Sequence, residues 1–179
     1  GQAATATYAW HIAGLAGCDF HPHLLVRGSG LVHGEPSDIT STRAERLGAI
    51  ATITAIQELE TLSGYKWEWS HIHRMDNKAA VDTSQKLADQ LDSGLHGVLS
   101  VEDQVRNIMG PGASDMDLVT HFTKMAADRC ATNGSLTILR WHRGHPEKRM
   151  ARAQWTRHDW QMFRVDALAD EAYAAYGEV

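Results

Sequence analysis

The stretch from Arg43 to Leu62 constrains this chain more than any other feature. Its residues, within TRAERLGAIATITAIQELETL, read as one long helix, and Gly64 stands just past the end as a stop. The apolar positions cover a broad face, wider than the stripe of a helix lying on a wet surface. Such a helix has to be covered, and strand-like segments lie on both sides of it. Thr5 to Gly14, containing TYAWHIAG, and His23 to Val32, HLLVRGSGLV with a Gly-Ser-Gly bend inside it, precede the helix. After it, Trp67 to Arg74 alternates as WEWSHIHR, with Met75-Asp76-Asn77 at its end.

Further along, Lys78 to Leu91 reads as helix, VEDQVRNIM as a short helix in a Gly-rich region, and Asp115 to Cys130 as helix again. Leu136 to Trp141 is a strand, HRGHPEKR a loop, and Val165 to Tyr176 a final helix. Strands and helices interleaved in this way predict an α/β layer fold with a mixed sheet. At 179 residues the chain has the size of one domain.

Composition narrows the function. A 43% apolar and 22% charged chain is ordinary for a globular protein, and no apolar run approaches the roughly 18 residues that span a bilayer. The start, GQAATATYAW, lacks the charged-then-apolar layout of a secretory leader, and a chain opening at Gly1 reads as a processed product or a piece of something longer. Cys18 and Cys130 form no CxxC pair, and free thiols in a reducing, intracellular compartment (cytoplasm or nucleus) are the expectation. A net charge of −5 argues against coating nucleic acid by bulk electrostatics. The basic groups are instead local: Arg140, Arg143, Lys148, Arg149, Arg152 and Arg157 stand against Glu147, with Trp141 and Trp155 interleaved. That mixture suits a surface tracking phosphates with flat side chains near sugars or bases, and equally a solvated charged loop.

Three acids fall at element ends. Glu45 is placed in the first turn of the long helix, Asp76 at the end of a strand, and Asp166 at the start of the last helix. Each alone has a structural reading, because acids suit first helical turns and Asp-Asn suits a turn after a strand. Together they offer the oxygen ligands that Mg²⁺ or Mn²⁺ take in two-metal phosphodiester chemistry.

The order of these motifs resembles the ribonuclease H family, in the branch carried by LTR retrotransposon and reverse transcriptase polyproteins. In that family S-x-R-A-E opens the first helix, an acid-Asn pair ends the fourth strand, and D-x-L-A opens the last helix. Here stand Ser41-Thr42-Arg43-Ala44-Glu45, Asp76-Asn77 and Asp166-Ala167-Leu168-Ala169. Between the last two, LTILRWHRGHPEKR is similar to a strand running into a loop with a mobile His, here His145. GSGLVHGEPSDITSTRAERLGAI and DMDLVTHFTKM resemble further parts of the same branch, so the likeness covers essentially the whole chain.

The resemblance implies a three-layer fold with a mixed central sheet flanked by helices. It implies an endonuclease that cuts the RNA strand of an RNA–DNA hybrid, with Glu45, Asp76 and Asp166 as ligands to Mg²⁺ or Mn²⁺. His145 would help proton transfer or product release. Ser41, Asn77, Arg143, Lys148, Arg149 and Arg152 would contact nucleic acid, Ser41 being also a possible helix cap. His142 competes with His145, and Asp170 with Asp166.

One departure matters. The family's first strand, central in its sheet, ends in Asp-Gly-Ser or Asp-Gly-Gly, and Gly1-Gln2 sits where the tail of that motif would be. Asp19 follows TYAWHI and cannot take the role without a changed topology. The missing strand and its Asp are therefore expected from an upstream polypeptide segment. A degenerate, non-catalytic scaffold or binding module is the main rival reading. A zinc site using His21 and His23 or His71 and His73 is a minor one, and integrase-like strand transfer is disfavoured by the late Asp and by S-x-R-A-E.

Overall fold

In a computed structural model of the chain, residues 6–14, 23–35, 37, 39–66, 70–92 and 99–176 are described. Among these residues, four strands and five α-helices follow in the order β1 (Thr7–Gly14), β2 (His23–Leu31), α1 (Ser41–Ser63), β3 (His71–Met75), α2 (Lys78–Asp92), α3 (Val101–Met109), α4 (Met116–Asn133), β4 (Thr137–Trp141) and α5 (Arg157–Tyr176). The protein is thus a mixed α/β chain, as its patterning predicts. The strands are arranged as two two-stranded ladders rather than one continuous sheet among the described residues: β1 with β2, antiparallel, and β3 with β4, parallel.

Three local expectations need correction. Gly28-Ser29-Gly30 is no bend: Trp10 pairs with Gly28, Ala9 with Ser29 and Tyr8 with Gly30 in an unbroken run. The glycines are needed because the facing rings lie across them; a Cβ at Gly28 would fall 2.6 Å from the Trp10 ring, and one at Gly30 2.6 Å from the Tyr8 hydroxyl. The irregularity sits instead between Ile12 and Ala13, where the register against Val26 and Leu24 shifts by a bulge.

The long helix starts at Ser41, capped by Thr40, whose hydroxyl oxygen accepts from the Arg43 N–H at 3.1 Å. Ser41 is therefore not the cap, and Glu45 lies beyond the first turn. The final helix starts at Arg157 rather than Val165, so Asp166 lies in its interior and not at its start. The cause is a reciprocal cap: Thr156 N–H donates to Asp159 Oδ2 at 2.9 Å, and Asp159 N–H donates to Thr156 Oγ1 at 3.3 Å. Trp67 to Trp69 lie outside the described residues, so the expected early start of β3 does too.

The described residues of Gly1–Gly48 and His142–Val179 form one compact unit. In it α5 packs on β1 and β2, and Thr7 Oγ1 donates to the Ala169 carbonyl at 2.9 Å. Trp155 is buried, its ring centroid 4.6 Å from that of Trp160 and 5.1 Å from that of Phe163.

Ala49–Trp141 forms the other unit. Ile53 and Ile56 of α1 are fully buried. Met75, Ala80, Val81 and Leu139 make a small core around the β3–β4 ladder, and Leu87, Val105 and Val119 join α2, α3 and α4. The crossover through three helices is what lets β3 and β4 run parallel.

This unit also buries charge. Arg129 and Glu60, each 3% exposed, pair at 2.9 Å, and Arg129 Nη2 reaches Ser135 Oγ at 3.3 Å. Near them both ring nitrogens of His71 are buried without a hydrogen-bond partner among the described residues. Burial first, and the Arg129 charge second, push His71 down to about 4, with Glu60 opposing.

A histidine whose folded pKa lies below its unfolded value of 6.5 binds its proton more readily in the unfolded chain. Stability is then present above about pH 6.5 and is lost as pH falls toward about 4, by about 2–3 kcal/mol. Urea unfolding at pH 7 and pH 4 is expected to show that loss in the native chain and a smaller one in His71→Phe. Equal pH dependence of the two proteins would contradict it.

Candidate catalytic site

The loop leaving β4 brings several of the candidate side chains together. His145 adopts left-handed backbone angles, φ 52° and ψ 56°, at a non-glycine position. Such a conformation costs on the order of 1–2 kcal/mol and persists only where surrounding contacts impose it. The contacts are present. Arg149 Nε donates to the Gly144 carbonyl at 3.1 Å, and its Nη2 donates to the Arg143 carbonyl at 3.0 Å and to Asp159 Oδ1 at 3.1 Å. Pro146 begins a 3₁₀ turn, Pro146–Lys148, directly after His145 and is buried.

The consequence is a small cluster in which His145 Nδ1 lies 3.4 Å from Glu147 Oε1 and 3.7 Å from Asp166 Oδ2. His145 is half open to solvent, while Asp166 is mostly covered. An exposed imidazole beside a half-buried carboxylate can accept or release a proton while its charged form is compensated.

His142 and Asp170 do not share this place. His142 Nε2 is 3.2 Å from Asp159 Oδ1, tied to the anchor of the loop, and Asp170 is exposed further along α5. Of the competing pairs, the structure brings His145 and Asp166 together.

Asp159 is a residue that motif reading misses, although Thr156-Arg157-His158-Asp159 carries the spacing of a capping box ahead of a partly apolar helix. It is 4% exposed and accepts from Thr156, Arg149 and His142. Burial alone would raise its pKa. The hydrogen bonds from the Thr156 hydroxyl and N–H, from His142 and from Arg149 outweigh that and hold the carboxyl at about 2.

Asp76 follows β3 in a bend and is half-buried. Its carbonyl accepts the Trp141 indole N–H at 2.9 Å, so the exposed Trp141 of β4 fixes the backbone at the end of the neighbouring strand. Asn77 caps α2, its Oδ1 accepting from Ala80 N–H at 3.0 Å. Glu45 is half-buried in α1 and Ser41 exposed at its first position. Glu45 and Asp166 belong to one compact unit and Asp76 to the other. No group of three His, Cys, Asp or Glu side chains close enough to hold a metal ion occurs among the described residues. His71 and His73 accordingly form no zinc cluster there, and His21, Cys18 and Asp19 lie outside the described residues.

The basic segment divides in two. Arg143, Lys148 and Arg152 are exposed, whereas Arg149 is turned into its own loop and largely covered. Arg152 stacks over Trp155 and Phe163, 5.7 Å and 5.5 Å from their centroids. Trp155, being buried, is a core residue and leaves Trp141 as the flat side chain exposed in this segment.

No described helix is long and apolar enough to cross a membrane. Neither protein-family models, curated proteins nor solved structures give a match to this chain.

Proposed function

We propose that this chain is a ribonuclease H-like endonuclease that hydrolyses the RNA strand of RNA–DNA hybrids. The observation that carries the reading is the pairing of His145 with Asp166 at 3.7 Å. Two residues from separate motifs, a loop after the last strand and D-x-L-A in the last helix, meet in one cluster.

The donors fit a divalent cation in kind, since carboxylate oxygens suit Mg²⁺ or Mn²⁺. By the resemblance, Glu45, Asp76 and Asp166 would each serve as an oxygen ligand to it. Bound there, the metal would supply an activated water and charge neutralisation at the leaving oxygen. The chain's own residues do the rest. His145 takes up or delivers a proton beside Asp166, Trp141 and Asn77 hold the Asp76 turn in place, and Arg143 and Lys148 attract the phosphate backbone.

The rival reading is a non-catalytic scaffold, favoured by the lack of a three-carboxylate group among the described residues. Titration with Mn²⁺ separates the two. The nuclease reading expects saturable binding weakened at least tenfold by Asp76→Asn or Asp166→Asn; equal weak binding by all three proteins supports the scaffold.

Binding to the hybrid has its own test. Arg143→Gln with Lys148→Gln is expected to weaken affinity for every hybrid sequence alike. The slope of log K against log salt is expected to fall by about 1 for each phosphate that is no longer neutralised. An unchanged slope would make these side chains a solvated surface and nothing more.

A further inference from the structure

Resting on the reading of His145 and Asp166 as functional, we infer that Arg149 and Asp159 are the positioning residues of that pair. They hold the loop so that His145 faces Asp166.

The argument begins on α5. Asp159 and Asp166 stand at i and i+7 of one helix, two turns apart, and so lie on the same face. A loop fastened at Asp159 is therefore laid along the face that carries Asp166. The fastening is specific. One oxygen of Asp159 closes the cap of α5 with Thr156, and the other receives Arg149 and His142. Arg149 also donates to the carbonyls of Arg143 and Gly144, the two residues just before His145. Those peptide groups are thereby fixed in orientation, and the left-handed turn at His145 follows from them.

The guanidinium fork is what this task requires. A lysine could keep the charge pairing with Asp159, but its single ammonium does not reproduce the planar fork that reaches two carbonyls and a carboxylate together. Arg149, one basic residue of this run among several, is thus given to the loop itself. Phosphate binding falls to its exposed neighbours Arg143 and Lys148.

The test is a spectroscopic double-mutant cycle on the full chain with ¹³C,¹⁵N-labelled histidine, because it does not depend on catalysis. In the native background, Asp166→Asn is expected to shift the His145 imidazole resonances. In Arg149→Lys and Arg149→Met backgrounds, the same Asp166→Asn change is expected to leave them in place, the pair having been separated. Arg149→Lys guards against misfolding, since it retains the ion pair with Asp159. An Asp166→Asn shift of the same size in both Arg149 variants overturns the inference. Hybrid cleavage is the second readout, with kcat expected to fall about tenfold in Arg149→Lys and KM to stay within twofold. If the native protein binds but never cuts hybrid while the spectroscopic coupling persists, the nuclease reading fails and the positioning role stands.

Discussion

Arg129→Met is expected to cost the protein about 3–5 kcal/mol, a large share of the roughly 5–15 kcal/mol of an ordinary domain. The loss does not come from the ion pair as such. Taking two charges out of water nearly cancels what their attraction returns. Removing one partner, however, leaves Glu60 charged, 3% exposed and 2.9 Å from where its counter-ion stood. The Ser135 hydroxyl is deprived of its Arg129 donor as well. Two features separate this from a simple cavity effect. Combining Arg129→Met with Glu60→Leu is expected to recover most of the loss, because neither charge of the pair then remains buried. The His71 pKa, held down in part by the Arg129 charge, is also expected to rise in the single variant. Urea unfolding of the single and double variants checks this, and a single-variant cost below about 1 kcal/mol would contradict it.

Asp76→Asn is expected to lower hybrid hydrolysis by on the order of 10³-fold or more while leaving the fold intact. Asparagine keeps the shape of the side chain and removes the negative charge. The surroundings that fix this position act through the backbone and through a neighbour. Trp141 donates to the Asp76 carbonyl, and Asn77 caps α2 with its own side chain. Neither interaction uses the Asp76 carboxylate, so stability is expected to change by no more than about 0.5 kcal/mol. A large fall in stability would assign Asp76 a structural role and make the loss of activity uninformative about metal binding.

What can be read from the sequence, and what cannot, follows from the range of the interactions involved. The α1, α2 and α4 helices and all four strands announce themselves because hydrophobic spacing is a local signal. Gly28 and Gly30 mislead for a physical reason. Glycine pairs mark bends when nothing crosses them, and here Trp10 and Tyr8 do, which is known only once β1 is aligned with β2. The start of α5 is legible but masked. Thr156 and Asp159 have the capping spacing, but Trp160 to Val165 mixes apolar and polar residues without a clean stripe, so periodicity shows the helix only from Val165 onward.

The candidate site divides in the same way. His145 stands out by its place after Gly144, and its competitor His142 can be told apart only through the contact with Asp159. Arg149 reads as one more basic residue in a basic run. Its use as a clamp depends on backbone carbonyls, which sequence does not display. Trp155 and Trp141 look alike in the chain, yet one is buried against Phe163 and the other exposed at the end of β4.

The most direct measurement is cleavage of an end-labelled RNA–DNA hybrid in Mg²⁺ by the full-length protein. The expected result is scission of the RNA strand alone, dependent on the divalent ion and abolished in Asp76→Asn and Asp166→Asn. A folded protein that binds the hybrid and leaves both strands whole in Mg²⁺ and in Mn²⁺, or an Asp76→Asn variant that still cuts, would contradict the assignment.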